Sequence, residues 1–257
     1  MLKKILIIVL ILFTCLLGGC SKDYEKIYNE IKNMELEDAF ESEEEIQAFF
    51  EEVQENYNYK LNFKVKAKRF SQGEKYEGSD RETYKYKQEM TVKFQKENNK
   101  LIVKDKKVEK SSKNGTKKEN CIYYYDNNQE YIHNRSNNEK YSNHISAYSY
   151  EEIMNCHLNK AFYRDFFIEL YEKGFIERIG KDKHGNIVVI ANCNNRSNRT
   201  EIDKFIFKDK QIIEYEYIGI GENRGFKSIW HHTEKYSYGK NTIRYPDFSE
   251  YKNRGWW

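Results

Sequence analysis

Apolar positions recur along this chain with two different periods, and the switch between them separates helices from strands. Ile46, Phe49, Phe50, Val53 and Tyr57 share one side of a 3.6-residue period, and Ser42 with Glu45 ahead of them makes a capping box. Residues 42–57 therefore predict a docked helix. From Tyr59 the period drops to two. Tyr59, Leu61, Phe63, Val65 and Ala67 alternate with Lys60, Asn62, Lys64, Lys66 and Lys68, and Tyr84, Tyr86, Met90, Val92 and Phe94 alternate with Lys85, Lys87, Thr91, Lys93 and Gln95. Such runs are long antiparallel strands with one wet face and one buried face. Asn98-Asn99 turns into residues 101–108, Asn114-Gly115 turns toward 121–125, and Asp126-Asn127-Asn128 turns into Tyr131 and Ile132.

A second helix interrupts the strands. Ser149 and Glu152 form another capping box, no Gly or Pro intervenes before Tyr171, and Lys173-Gly174 supplies a stop. Ile153, Leu158, Ala161, Phe162, Phe166, Phe167 and Leu170 give it a broad apolar surface to be covered by sheet. Strands resume at 175–179, at 187–193 after the His184-Gly185-Asn186 turn, at 202–207, at 212–218 and at 226–238, with a last short one at 242–245 ended by Pro246. Residues 192–200 read as a polar loop, 219–225 as a hairpin tip, and the polar stretch 21–40 as a short helix on a tether.

Composition agrees with a sheet-rich fold. The 257 residues include 22 Tyr and 15 Phe against a single Pro, so apolar area is stored in side chains that favour strands. A net charge of +3 lacks the basic excess that a dedicated nucleic-acid binder needs, and no nucleic-acid partner is expected.

The N-terminus says where the protein lives. Lys3 and Lys4 precede an apolar run from Ile5 to Leu17, shorter than the roughly 20 residues of a spanning helix. Leu17-Gly18-Gly19-Cys20 follows, with small residues that fit a peptidase cleft and a thiol beside them. This segment resembles a bacterial lipoprotein signal with its lipobox. The resemblance implies cleavage after Gly19, a diacylglycerol on Cys20, and attachment to the extracytoplasmic face of the cell membrane.

Candidate chemistry is sparse. Gly219-Ile220-Gly221 lies between strands and opens no helix, so it cannot cradle phosphate as a dinucleotide loop does. Cys156-His157 and His231-His232 are metal-capable pairs, but neighbours on a helix or a strand diverge, and neither pair is expected to chelate an ion. No catalytic residue, cofactor or metal is expected. Cys121, Cys156 and Cys193 allow one internal disulfide in any of three pairings, or none. Charge is segregated: residues 35–55 carry many acids and no Lys or Arg, whereas 60–118 is strongly basic. Either an acidic helix complements basic strand faces within one fold, or a basic outer sheet lies near anionic lipid head groups. Trp256 and Trp257 end the chain and suit a membrane interface or a groove in the fold.

The order of elements, closed by 236-YSYGKNTIRYP-246 with Asn241, Ile243 and Pro246 in an N-x-I-x-x-P arrangement, resembles the lipoprotein-carrier superfamily of LolA, LolB and LppX type. That resemblance implies an α+β fold in which a strongly curved antiparallel β-sheet, a half-barrel, wraps an N-terminal and a central helix. It implies a division into a signal peptide (1–19), a lipid-anchored tether (20–41), one β-rich domain (42–250) and a C-terminal tail (251–257). It also implies a non-enzymatic lipoprotein that binds or senses a lipid or other apolar ligand between sheet and helices, with Phe49, Phe50, Phe63, Phe94, Phe162, Phe166 and Trp230 as lining. The alternative is a solid-cored surface lipoprotein that contacts an envelope protein in assembly or signalling.

Overall fold

The computed structural model describes residues 23–57, 62–77, 80–126, 129–145, 152–153, 157–158, 166–192, 199–223, 226–240 and 242–253. Three α-helices lie among them: α1 (Tyr24–Lys32), α2 (Glu43–Tyr57) and α3 (Phe166–Glu172). The strands are β1 (Phe63–Glu77), β2 (Asp80–Gln95), β3 (Lys100–Ser111), β4 (Gly115–Asp126), β5 (Gln129–Asn134), β6 (Glu139–His144), β7 (Ile176–Lys181), β8 (Ile187–Ala191), β9 (Arg199–Lys208), β10 (Gln211–Asn223), β11 (Phe226–Tyr238) and β12 (Lys252–Asn253). They form one sheet in the order β12-β6-β5-β4-β3-β2-β1-β11-β10-β9-β8-β7, antiparallel throughout except for the β12–β6 pair.

The sheet is bent into an open half-barrel. Val103 on β3 and Val189 on β8 stand six strands apart, ~29 Å on a flat sheet at ~4.8 Å per strand, yet both belong to one buried cluster with Phe50, Leu158 and Phe167. A single layer of helix bridges them only if the sheet curls around it. Among the described residues β7 and β12 are the two ends of the sheet and do not pair with each other, so the barrel is not closed. A bulge at Ile213 helps the bend, because skipping one residue lets Ile212 and Tyr215 both face inward, opposite Phe207 and Phe205.

The two faces of the sheet bury different things. Inside, Phe63, Val65, Val92, Phe94, Leu101, Phe205 and Phe207 are roofed by α2 and α3. Outside, Val188, Ile190, Ile202 and Ile218 are covered by α1 through Ile31, Ile27 and Tyr28. The helix expected in residues 21–40 is thus present and packed on the sheet. Its exit is fixed where Arg178 donates to the carbonyls of Lys32 and Met34, and where Glu37 pairs with Lys181. A Cβ on Gly180 would stand 2.5 Å from the Glu37 carbonyl oxygen, so only glycine admits that crossing.

Local signals behave as their chemistry requires. Ser42 Oγ accepts from the Glu45 N–H at 3.3 Å, while the Glu45 carboxylate reaches back to the Glu41 N–H rather than to that of Ser42. Asn99, Gly115, Gly174 and Gly185 all take positive φ at the expected turns and helix stop. Three expectations need correction. Residues 149–171 are not one continuous helix: residues 152–153 and 157 are helical, Leu158 is a bend, and α3 begins at Phe166. Residues 242–245 form no strand, because β11 is already paired on both sides by β1 and β10 and offers no free edge. The Ile243 N–H goes instead to Gln95 Oε1, and the tail continues with Phe248 stacked on Tyr131 at 3.7 Å before β12 pairs with β6. β6 itself has no counterpart in the sequence reading.

Candidate functional site

Of the residues expected to line a cavity, five are gathered and one is set apart. Phe49 meets Phe50 at 5.4 Å and Phe207 at 5.5 Å, Phe50 stacks on Phe167 at 6.0 Å, Phe63 meets Phe94 at 5.4 Å, and Phe166 meets Phe205 at 5.7 Å between ring centres. Phe49, Phe50, Phe63 and Phe94 are between 1% and 7% exposed, so they are packed on one another and on the helices. Trp230 lies elsewhere, six residues along β11 from Tyr236, ~20 Å at ~3.3 Å per residue, under the guanidinium of Arg199 at 3.8 Å. Phe162 and Cys20, the residue expected to be lipidated, lie outside the described residues, as do Cys156, Cys193, Trp256 and Trp257. Cys121 is a buried free thiol.

Beyond the aromatic end, the same inner wall turns polar. On β1 the inward positions run Phe63, Val65, Ala67 and then Arg69, Ser71 and Gly73. On β11 they run Tyr236, Glu234, His232 and Trp230, each opposite its β1 neighbour. Arg69 Nε donates to His232 Nδ1 at 2.9 Å, His232 Nε2 meets Glu234 Oε1 at 2.5 Å, and the Tyr236 hydroxyl donates to Glu234 Oε2. Because Nδ1 accepts from arginine, it carries no proton; the imidazole is neutral and its Nε2–H donates to the carboxylate. Burial lowers the His232 pKa in the same sense, outweighing the pull of Glu234. Glu234 is fully buried, and the donors on His232 and Tyr236 are among the partners that make a buried carboxyl group tolerable there.

A second polar group adjoins the first. Arg69 Nη2 donates to the backbone carbonyl of His157 at 2.7 Å. His157 Nε2 lies 2.6 Å from the Tyr125 hydroxyl, which donates to Glu130 at 2.8 Å, so the consistent tautomer has His157 donating to tyrosine. Burial pushes the His157 pKa down to about 4, against an opposing pull from Asp105. Gln88 donates to both oxygens of Asp105 at 2.8 and 2.9 Å, and Lys107 pairs with the same carboxylate at 3.1 Å. Tyr215 donates to Asp203 at 2.7 Å. Among the described residues Arg69 forms no ion pair; its contacts are a neutral imidazole and a carbonyl.

This half of the wall is also where the inner face is least covered. Tyr84, Tyr86, Tyr123, Tyr217, Trp230 and Arg69 all point inward and remain partly exposed, unlike the phenylalanines at the other end. Burial, with Asp105 nearby, pushes the Tyr86 hydroxyl up to about 12, so it is a neutral donor at physiological pH. Partly exposed aromatic faces around an arginine without a carboxylate partner can stack on an apolar group and neutralise an anionic one.

Sequence reading missed this constellation for a definable reason. It followed alternation only while one parity was apolar, and stopped at Ala67. The surviving signal was the parity itself: Trp230, His232, Glu234 and Tyr236 share one face of β11. The divergence expected of adjacent histidines is seen, since His231 faces outward to Glu216 at 3.0 Å while His232 faces inward. No cluster of three or more metal-capable side chains occurs among the described residues.

No family model and no curated protein matches this chain. Among solved structures it is similar to an S-type phycobiliprotein lyase from Guillardia theta, at 8% identity and a TM-score of 0.19 over 74% of this chain and 94% of that one. It is similar also to a β-barrel-like protein of a domain family of unknown function, DUF1849, from Brucella abortus (8%, 0.23, over 70% and 99%). A third is a DUF1329 family protein from Desulfovibrio piger (8%, 0.24, over 75% and 91%). Likeness at this level decides neither the fold, which rests on the strand order and shared core above, nor the function.

Proposed function

We propose that this protein is a membrane-anchored, extracytoplasmic lipoprotein of the carrier type, held by a diacylglycerol on Cys20, whose half-barrel binds an amphipathic ligand without transforming it. The ligand site is the open polar half of the inner wall: its apolar part stacks against Tyr84, Tyr86, Tyr217 and Trp230, and its anionic group meets Arg69. The observation that carries this reading is the guanidinium of Arg69, which faces the interior and among the described residues has neutral partners only, beside partly exposed aromatic rings. The lipobox-like Leu17-Gly18-Gly19-Cys20 supports the anchoring.

The test uses 1-anilinonaphthalene-8-sulfonate, an aromatic amphiphile with one negative charge. Its fluorescence is expected to rise saturably with the native chain, and Arg69→Ala is expected to weaken binding by about tenfold, the loss of one charge-assisted contact. Unsaturable binding, or binding indifferent to Arg69, would favour the solid-cored surface protein that contacts an envelope partner. Metabolic labelling with palmitate, lost in Cys20→Ser, tests the anchor independently.

A further inference from the structure

The outer face of the sheet is split as sharply as the inner one. From β8 to β11 it is apolar or internally paired: α1 covers Val188, Ile190, Ile202 and Ile218, while Lys204 pairs with Glu216 and Glu214 at 2.7 and 3.2 Å. From β1 to β3 it is a lattice of lysines. Register places Lys66, Thr91 and Lys104 in one row across the strands and Lys68, Glu89 and Lys106 in the next, with Lys85 and Lys87 further along β2. All six lysines are exposed, and Glu89, 4.0 Å from Lys68, is the one acid in those two rows. Between this lattice and β10–β11 the face dips into a groove of about 710 Å³ bordered by Lys66, Lys68, Lys104, Lys106 and Lys235, with Glu89, Glu214 and Glu216 also on its wall.

The acids of α2 are on the other side of the sheet, and those on the outer face beside the lattice, Glu89, Glu214 and Glu216, are paired with Lys68, Lys204, Lys235 and His231. α2, with Glu43, Glu44, Glu45 and Glu52, packs against the inner face, and Glu52 pairs with Lys210 at the β9–β10 turn. Within each row the lysines stand two strands apart, ~9.6 Å, with Thr91 or Glu89 between them. Among the described residues Lys66, Lys104 and Lys106 form no ion pair, so the face keeps an excess of positive charge that an anionic surface would neutralise.

The chain's own connectivity says where the lattice faces. Tyr24, the first residue of α1, stacks on Phe70 at 5.1 Å and 5°, and Phe70 is the next outward residue on β1 after Lys68. Glu25 pairs with Lys227 on the same side. Cys20 is three residues ahead of Asp23, a reach of at most ~10 Å for extended chain. A lipid on Cys20 thus puts the bilayer surface on the outer side of the sheet, at a distance comparable with the ~8 Å over which charges are felt at physiological salt.

We propose that the lysine lattice of β1–β3 and its groove dock on the anionic headgroups of phospholipids, so that the outer face lies on the membrane and the open half of the inner wall faces away from it. The orientation rests on the acylation of Cys20 proposed above; the headgroup contact does not. The experiment is co-sedimentation of the chain from residue 20 onward, carrying Cys20→Ser and hence no lipid, with vesicles of phosphatidylglycerol and phosphatidylcholine or of phosphatidylcholine alone. Binding is expected only to the anionic vesicles, falling by about tenfold or more between about 0.02 M and about 0.5 M salt. Reversing Lys66, Lys68, Lys104 and Lys106 to Glu is expected to abolish it, and the same four changed to Gln to weaken it by about tenfold with an unchanged melting temperature. Reversing Lys173, Lys181, Lys183 and Lys208 should leave it intact. Equal binding to both vesicle types, indifference to the four lysines, or binding to soluble heparin but to neither vesicle would overturn the proposal. Vesicle binding as expected, together with failure of the native full-length chain to incorporate palmitate in cells, would overturn the orientation while leaving the headgroup contact standing.

Discussion

The two ends of the inner wall are built from the same strands and have opposite character. At one end Phe63, Val65, Phe94, Leu101, Phe205 and Phe207 close on α2 and α3 and are almost wholly buried. At the other, Arg69, Tyr84, Tyr86, Tyr217 and Trp230 stand in a partly open cup beside buried polar relays. The contrast teaches that one curved sheet can separate a packed apolar end from a polar, partly exposed one along the strand axis. Among the described residues, α2 and α3 roof the apolar end, and the rest of the wall is furnished with hydrogen-bonding and aromatic groups.

The comparison breaks most visibly if the packed end tolerates truncation. Phe50→Ala is expected to cost about 3–5 kcal/mol in urea unfolding, because the ring is 1% exposed and its removal leaves a cavity between α2 and Phe167. A loss under about 1 kcal/mol would mean the aromatic end is not the core.

Next comes acid. His157, with an ordinary value of 6.5, is held near 4 in the folded chain. The unfolded chain binds a proton as pH falls through about 6.5, which the folded chain refuses until about 4. Stability is therefore full above that window and declines by up to ~3 kcal/mol across it. His232 is shifted in the same direction and adds to the decline. Unfolding measured at pH 7.5 and 4.5 should show it, and His157→Gln should flatten the profile.

The relay itself gives a comparable but more local effect. Glu234→Ala removes an acceptor shared by His232 Nε2–H and the Tyr236 hydroxyl in the buried wall, and this loss should cost about 2–3 kcal/mol. An unchanged melting temperature would show that the relay contributes nothing to the fold.

The smallest change in stability is expected at the open end. Trp230→Ala should cost about 1 kcal/mol or less, since the ring is partly exposed, while weakening the sulfonate dye by about tenfold through loss of a stacking face. A large stability loss with unchanged dye binding would place Trp230 in the core instead.

Much of the fold could be read from the chain because it is written locally. Helix α2, the turns at Asn99, Gly115 and Gly185, and β11 from Phe226 to Tyr238 follow from spacing, capping and positive-φ residues alone. Continuations were lost where local signals fade: β1 runs on to Glu77 past the point where its inward positions cease to be apolar, and β6 is a short strand with a single tyrosine at its centre. The site was the least legible part. Its members come from β1, β2, β10, β11 and the segment around His157, and nothing in any one stretch shows that Arg69 will meet His232.

What the sequence determined by itself is the alternation of strand and helix, the parity of every strand residue, and an N-terminal segment with a lipobox-like cysteine, all of them properties of residues a few positions apart. What only the tertiary structure decided is which parity faces inward, where the helices stop covering the wall, and that acids and lysines segregated along the chain end on opposite sides of the sheet. Those outcomes depend on curvature and strand order, which are set by contacts between residues far apart in the chain, such as Arg69 and His232, 163 positions apart.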